Sequence, residues 1–455
     1  MSGPERTLIA TRRRTAELGL GVVAILITIA GYLLLSLSKA PALPADFWGF
    51  LAFVVGLFFV AHVAIRRFAP SADPTLLPLA TLLNGIGFTM ISRLDLAAGP
   101  GSVYARTQAV WIAIGIGVFV VAIAAIRPID TLRRYRSIFL VLGVGALLLP
   151  LIPGLGYTAN GARLWIRLGP LNFQPGEAAK VLLVIFFAAY LADNRDLLRS
   201  GTRRIGRLYV PAPRHFGPLL LPWATAVLIM VQQKDLGSSL LFFTVFVAML
   251  YMATERSAYV IVGVAAFSLA AVIAYNSFSH VQLRVDTWLD PWPTAQSNGF
   301  QLVQSLFALG SGGISGTGLG LGRPDLIPNA ATDFVFAAIG EELGLYGTVG
   351  IIITFLLFVG TGFKIAVQAA RPFPKLLAAG LTTIVGIQTF VIIGGVIRVI
   401  PLTGVTLPFV SYGGSSLIAN FVLLAILLRI SDETAIDAQA EAEAEVRLEA
   451  AGTRS

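Results

Sequence analysis

A chain of 455 residues that is 56% hydrophobic and only 13% charged, with a mean hydropathy of +0.81, cannot fold as a soluble globular protein, in which about a quarter of residues are charged. It reads as an all-α, polytopic membrane protein. The net charge of +9 would suggest nucleic acid in a soluble domain, but the basic residues fall in short loops between apolar runs, which is a topology signal and argues against a nucleic-acid partner. The absence of cysteine excludes disulfides and thiolate-based metal or redox sites.

In chain order, a basic segment at 1–17 precedes the first apolar run, which is too long for a signal-peptide core and reads as an uncleaved span. Apolar runs near twenty residues then predict about twelve spans, at 18–38, 47–65, 75–92, 107–126, 137–152, 177–193, 217–233, 237–254, 258–278, 335–363, 376–397 and 412–430. Placing the amino terminus in the cytoplasm also puts there most of the 33 Lys and Arg residues, including those at 66–67, 127–136, 195–214 and 364–375. Both termini are then expected inside, and the long loop 279–334 between spans 9 and 10 outside. The tail, 431–455, is acidic and alanine-rich, and reads as a solvated helix or a disordered segment.

The longest interruption of the apolar pattern, 284–347, is where the chemistry is expected. Its GSGGISGTGLGLG stretch lacks the strand before and the GK[ST] after that a nucleotide phosphate loop requires, so no nucleotide is expected, and tightly turning backbone near a large substrate fits better. Asp333 stands at the mouth of the tenth span. It suits an N-cap, and equally a partly desolvated general base. Glu341 and Glu342 lie two turns further on, and ionisable groups at such depth are functional candidates.

Glu177 and Lys180 are three apart after Pro175, so on a helix they share a face and can pair. With Arg163 and Arg167 nearby in sequence they suit an anionic group such as a phosphate. Asp235 in QQKDLGSS reads as a helix cap, or as a member of a polar network with Glu177 that holds a divalent cation. The stretch with Pro401, Pro408 and Tyr412 to Ser416 reads as a cavity wall.

Together the strings RLWIRLGPLNFQPGEAAK, QQKDLGSS, RVDTWLDP, GFQLVQSLFALGSGGISGTGLGLG, IPNAATDFVFAAIGEELGLYG and PLTGVTLPFVSYGGSS resemble the SEDS family (RodA, FtsW, SpoVE), and most closely its RodA branch from high-GC Gram-positive bacteria. The resemblance covers roughly 75–430 and implies a ten-span core, with two extra spans at 18–74 in front of it. It implies a peptidoglycan glycosyltransferase that polymerises lipid II at the outer face of the cytoplasmic membrane beside a class-B penicillin-binding protein, for cell elongation. The alternatives are a lipid II flippase or a polymerase of the division septum. Position by position, Asp333 matches the family's essential aspartate, Glu177 and Lys180 its paired charges, Asp235 the aspartate of its DLG motif, and Arg284 the arginine before LDP. Gly176 replaces the usual serine, Ala331 a frequent histidine, and Thr294 and Ala295 a second Asp-Pro pair. The expected mechanism makes Asp333 the base. Arg163, Lys180 and Arg284 then meet the diphosphate, with an optional Mg2+ or Mn2+ at Glu177 and Asp235.

Overall fold

The computed structural model describes residues 3–38, 47–99, 102–159, 162–169, 171–200, 203–205, 208–210 and 213–452. Parts of the basic amino terminus, the acidic tail, the 195–214 loop and the linker between spans 5 and 6 lie outside the described residues.

The helices run α1 Gly3–Leu37, α2 Phe47–Phe68, α3 Leu76–Ala98, α4 Tyr104–Ala125, α5 Asp130–Arg134 and α6 Arg136–Leu148. Strands β1 Gly156–Ala159, β2 Ala162–Leu168 and β3 Leu171–Phe173 lead into α7 Pro175–Ser200. A two-stranded pair, β4 Arg203–Ile205 and β5 Leu208–Val210, precedes α8 Pro213–Gln232, α9 Leu236–Thr254, α10 Ser257–Ser277, α11 Ser279–Leu289 and α12 Phe300–Gly312. The chain ends with α13 Val335–Gln368, α14 Pro372–Val396 and α15 Gly414–Gly452.

Ten of these helices are long and apolar enough to cross a membrane, and the spans expected at 137–152 and 217–233 are the shorter apolar helices Arg136–Leu151 and Gly217–Gln232. The first is cut short by the strands, and the second carries Pro218 and Pro222, each of which removes a helical hydrogen bond. The fold is therefore an all-α, multi-pass membrane bundle. The strands are a local departure: β1, β2 and β3 form an antiparallel sheet with Tyr157 opposite Trp165 and Ile166 opposite Phe173. The expected spans at 137–152 and 177–193 leave this sheet unannounced, because β1 and β3 are too short to show an alternating pattern.

The most enclosed spans are α7, α14 and α15, whereas α10 buries nothing along its most apolar window. Between apolar helices in lipid, close approach matters more than hydrophobicity. At the α4–α15 contact, a Cβ on Gly414 would fall 2.0 Å from the Trp111 ring.

The decisive irregularity is in α13, which breaks at Gly344 (φ 63°, ψ −159°), a conformation open essentially to glycine alone. A break frees backbone groups that lipid cannot satisfy, and the glycine-rich loop supplies their partners. Thr317 and Gly318 donate their amides to the carbonyls of Glu341 (2.9 Å) and Glu342 (3.0 Å), while the amides of Leu345 and Tyr346 donate to Gly313 (3.0 Å) and Ile314 (3.2 Å). The two glutamates, functional candidates by their depth, fasten this loop. Glu341 accepts the Arg323 amide at 2.7 Å, and Glu342 accepts the Gly320 amide at 2.9 Å and Arg93 Nε at 2.7 Å. Arg93 also donates to the Gly322 carbonyl at 2.8 Å.

The acidic tail starts as a continuation of α15. Its first turns dock on the basic end of the bundle, where Arg371 bonds Asp130 and Glu433, and Arg429 pairs with Asp432.

Candidate active site

Asp333 lies two residues before α13, half-buried. No side chain caps α13, so the capping role open to Asp333 is not the one it fills. Burial lifts its carboxyl to about 6, against the Thr332 hydroxyl and the charge of Arg284, both of which favour the ionised form. Arg284 comes from α11. Its guanidinium donates to the carbonyls of Leu402 (3.3 Å) and Thr403 (3.0 Å).

Carboxylate and guanidinium face each other across Gly404. A Cβ built there would lie 3.7 Å from Asp333 Oδ2 and 3.9 Å from Arg284 Nη2, and the glycine has φ +77°. A side chain at 404 would be strained in its backbone and would stand between the two charges.

The 398–413 segment does more than wall a cavity. Arg398 donates to the Trp288 carbonyl at 2.7 Å, which docks α11. Ser411 Oγ donates to the Thr332 carbonyl at 2.6 Å and the Tyr412 amide to the Ala331 carbonyl at 2.8 Å, which holds the Asp333 turn. Ala331 thus serves through its backbone. Gln388 Nε2 donates to the Thr406 carbonyl at 2.7 Å.

Through Gln388 the segment reaches the paired charges. Lys180 Nζ lies 2.9 Å from Glu177 Oε1 and 3.2 Å from Gln388 Oε1, and both charged residues are buried. The helical spacing behind the pairing is as expected, and Gln388 satisfies a further ammonium proton. A lone glutamine inside an apolar span was the available signal for it, since a buried amide needs a partner.

Asp235 is the N-cap of α9 and accepts the Ser238 amide at 2.9 Å. Burial pushes its carboxyl up, opposed by the Ser238 bonds and Lys180, and assisted by the like charge of Glu177. Its helix start abuts the same segment: a Cβ on Gly237 would fall 2.7 Å from the Thr403 carbonyl. Beside it, Lys234 and Arg284 both bear on His280, whose imidazole is held below its usual value first by burial and then by these two cations. No acidic partner holds Lys234 among the described residues.

Arg163 stands apart. It lies on β2 and donates to the carbonyls of Ile152 (3.2 Å) and Gly156 (3.3 Å), while Arg167 stacks on the Tyr157 ring at 5.0 Å. As a cation site, Glu177 and Asp235 fit poorly. Glu177 is already bonded to an ammonium, no group of three carboxylates or imidazoles forms among the described residues, and Mg2+ demands near-octahedral oxygen donors. Positive charge at this point comes from Lys180.

A Cβ on Gly176 would touch only Leu147 Cδ2, at 3.9 Å. Gly176→Ser is therefore expected to leave the thermal melt in detergent unchanged or raised, by up to about 0.5 kcal/mol, since serine is the better helix former. A clear fall would show that position 176 requires glycine.

Comparison with known proteins agrees with this architecture. The pattern of the FtsW/RodA/SpoVE cell cycle proteins matches residues 74–436. The peptidoglycan glycosyltransferase RodA of Mycobacterium tuberculosis is 45% identical over 425 residues, covering 92% of this chain and 90% of that protein. Among solved structures, a chain of a peptidoglycan synthase complex superposes with a TM-score of 0.64 at 27% identity, covering 80% of this chain and 98% of that one. The rod shape determining protein RodA of Thermus thermophilus follows with a TM-score of 0.56 at 25% identity, covering 79% and 97%. With a pattern match over most of its length and a relative of such identity, the chain belongs to the FtsW/RodA/SpoVE family.

Proposed function

We infer that the chain is a peptidoglycan glycosyltransferase of the RodA kind, polymerising lipid II for cell elongation beside a class-B penicillin-binding protein. Both termini face the cytoplasm, and the Asp333 end of the bundle faces outward, which follows from the basic residues at the opposite end. The observation that carries the reading is the facing of Asp333 and Arg284 across Gly404. A glycosyl transfer from a polyprenyl diphosphate needs those two groups and no nucleotide.

Asp333 takes the proton of the attacking sugar hydroxyl as its oxygen bonds to the anomeric carbon, and the bond from that carbon to the diphosphate oxygen breaks. The leaving diphosphate gathers negative charge, which Arg284 meets with its remaining donors, joined by Lys234. Arg163, expected to share this role, is occupied by carbonyls. Lys180 contributes its field through the Glu177–Gln388 network. The flippase alternative is less well supported, because these charges gather at helix ends and transporter sites lie near mid-membrane.

The test is polymerisation of labelled lipid II by the purified chain, with a class-B penicillin-binding protein supplied. Glycan strands on a gel support the reading, and lipid translocation in vesicles without strands would replace it with the flippase. The pH profile adds a sharper expectation. The base works only when ionised, so kcat/KM should rise with pH through a midpoint of about 6 and level off above it. A limb near 4, the ordinary carboxylate range, would mean that Asp333 is not the titrating base.

A further inference from the structure

Between α2 and α4, at the arginine-rich end of the bundle, lies a groove of about 310 Å³ that the reaction does not use. Its walls are Phe59, Val60 and Val63 of α2 and Val120 of α4, and it ends on Arg67 and Phe68. Phe59 and Val63 are 59% and 44% exposed within the chain, so on a membrane-spanning helix they face lipid.

The charged end is as distinctive as the apolar walls. Arg66 and Arg67 are exposed in the last turn of α2, and the guanidinium carbons of Arg67 and Arg127 each lie 5.6 Å from the Phe68 ring centre. Arg14, Arg371 and Arg429 at this end are bonded to carboxylates. Arg66 and Arg67 have no such pair among the described residues. An apolar trough that ends on unpaired cations at membrane depth is complementary to one amphiphile: an alkyl chain with an anionic head.

We propose that this groove binds an anionic phospholipid, with an acyl chain along Val63 and Val120 and its phosphate on Arg67, supported by Arg66 and Arg127. Because α2 precedes residue 74, where the family pattern begins, the lipid joins an added helix to the family core.

The experiment is native mass spectrometry of the full chain in detergent with equimolar phosphatidylglycerol and phosphatidylcholine, comparing wild type with Arg67→Gln and Val63→Trp. Wild type should retain phosphatidylglycerol preferentially. Arg67→Gln should cut that preference roughly fivefold, the effect of one cation at an anionic surface, and Val63→Trp should lower retention of both lipids by filling the trough. Arg67 is exposed, so its variant should melt like wild type without added lipid. Equal retention of the two lipids by wild type would overturn the proposal, as would a preference untouched by Arg67→Gln. A wild-type dimer abolished by Val63→Trp would also overturn it, by assigning the groove to a second copy of the chain.

Discussion

Asp333→Asn should abolish strand formation in practice, lowering turnover by on the order of 10²-fold to 10⁴-fold, the contribution of a positioned general base. The substitution keeps the shape of the side chain and its hydrogen-bonding reach to Thr332, so packing around Gly404 is preserved. It also removes a charge whose burial is costly, as the lifted carboxyl shows. The melt should therefore be unchanged or slightly higher. This pairing of effects separates catalysis from structure: a structural aspartate would lose stability together with activity. Substrate binding, proposed above to rest on Arg284 and its neighbours, should change little, so the loss belongs in kcat. Wild-type turnover in a folded Asp333→Asn protein would remove the residue from the chemistry.

Arg93→Ala should be the most destabilising single change, costing ~3–5 kcal/mol, because it strands the Glu342 carboxylate without its counter-ion in a buried site. Arg93 and Glu342 are 3% and 0% exposed, and the same guanidinium also binds the Gly322 carbonyl. Adding Glu342→Gln to Arg93→Ala should recover part of the loss, since a neutral amide oxygen can still accept the Gly320 amide. Detergent melts of the two variants check both statements. An Arg93→Ala protein that melts like wild type would show that the pair does not hold the loop.

These two residues show how unevenly the site could be read in advance. Asp333, Glu177, Lys180 and Asp235 stand out because charge is rare in so apolar a chain and each must have a reason. The Glu177–Lys180 pair was legible from helical spacing alone. Arg93 and Glu342 are 249 positions apart, and nothing local marks them as partners, so Glu342 looked functional when it is a fastener. The 398–413 segment was under-read for another reason. It acts largely through carbonyls and amides, which every residue carries and no sequence pattern displays. Helices were legible wherever twenty apolar residues ran together, and were least so at α6 and α8, where strands and prolines shorten them. Lys234 had no signal beyond its charge, and only the fold brings it, like Arg284, within electrostatic reach of His280.

The break at Gly344 gives the chain a lever. From Val335 to Leu343 runs a stiff rod about 13 Å long, with the carboxylate just beyond one tip and a knitted pivot at the other. Tilting such a rod by about 5° carries its tip through about 1 Å, a misplacement that can cost ~10²-fold in rate. Loop residues such as Gly316, far from Asp333 in sequence, therefore set the aim of its carboxylate, and a side chain at Gly316 or Gly344, which would collide with backbone, would shift it.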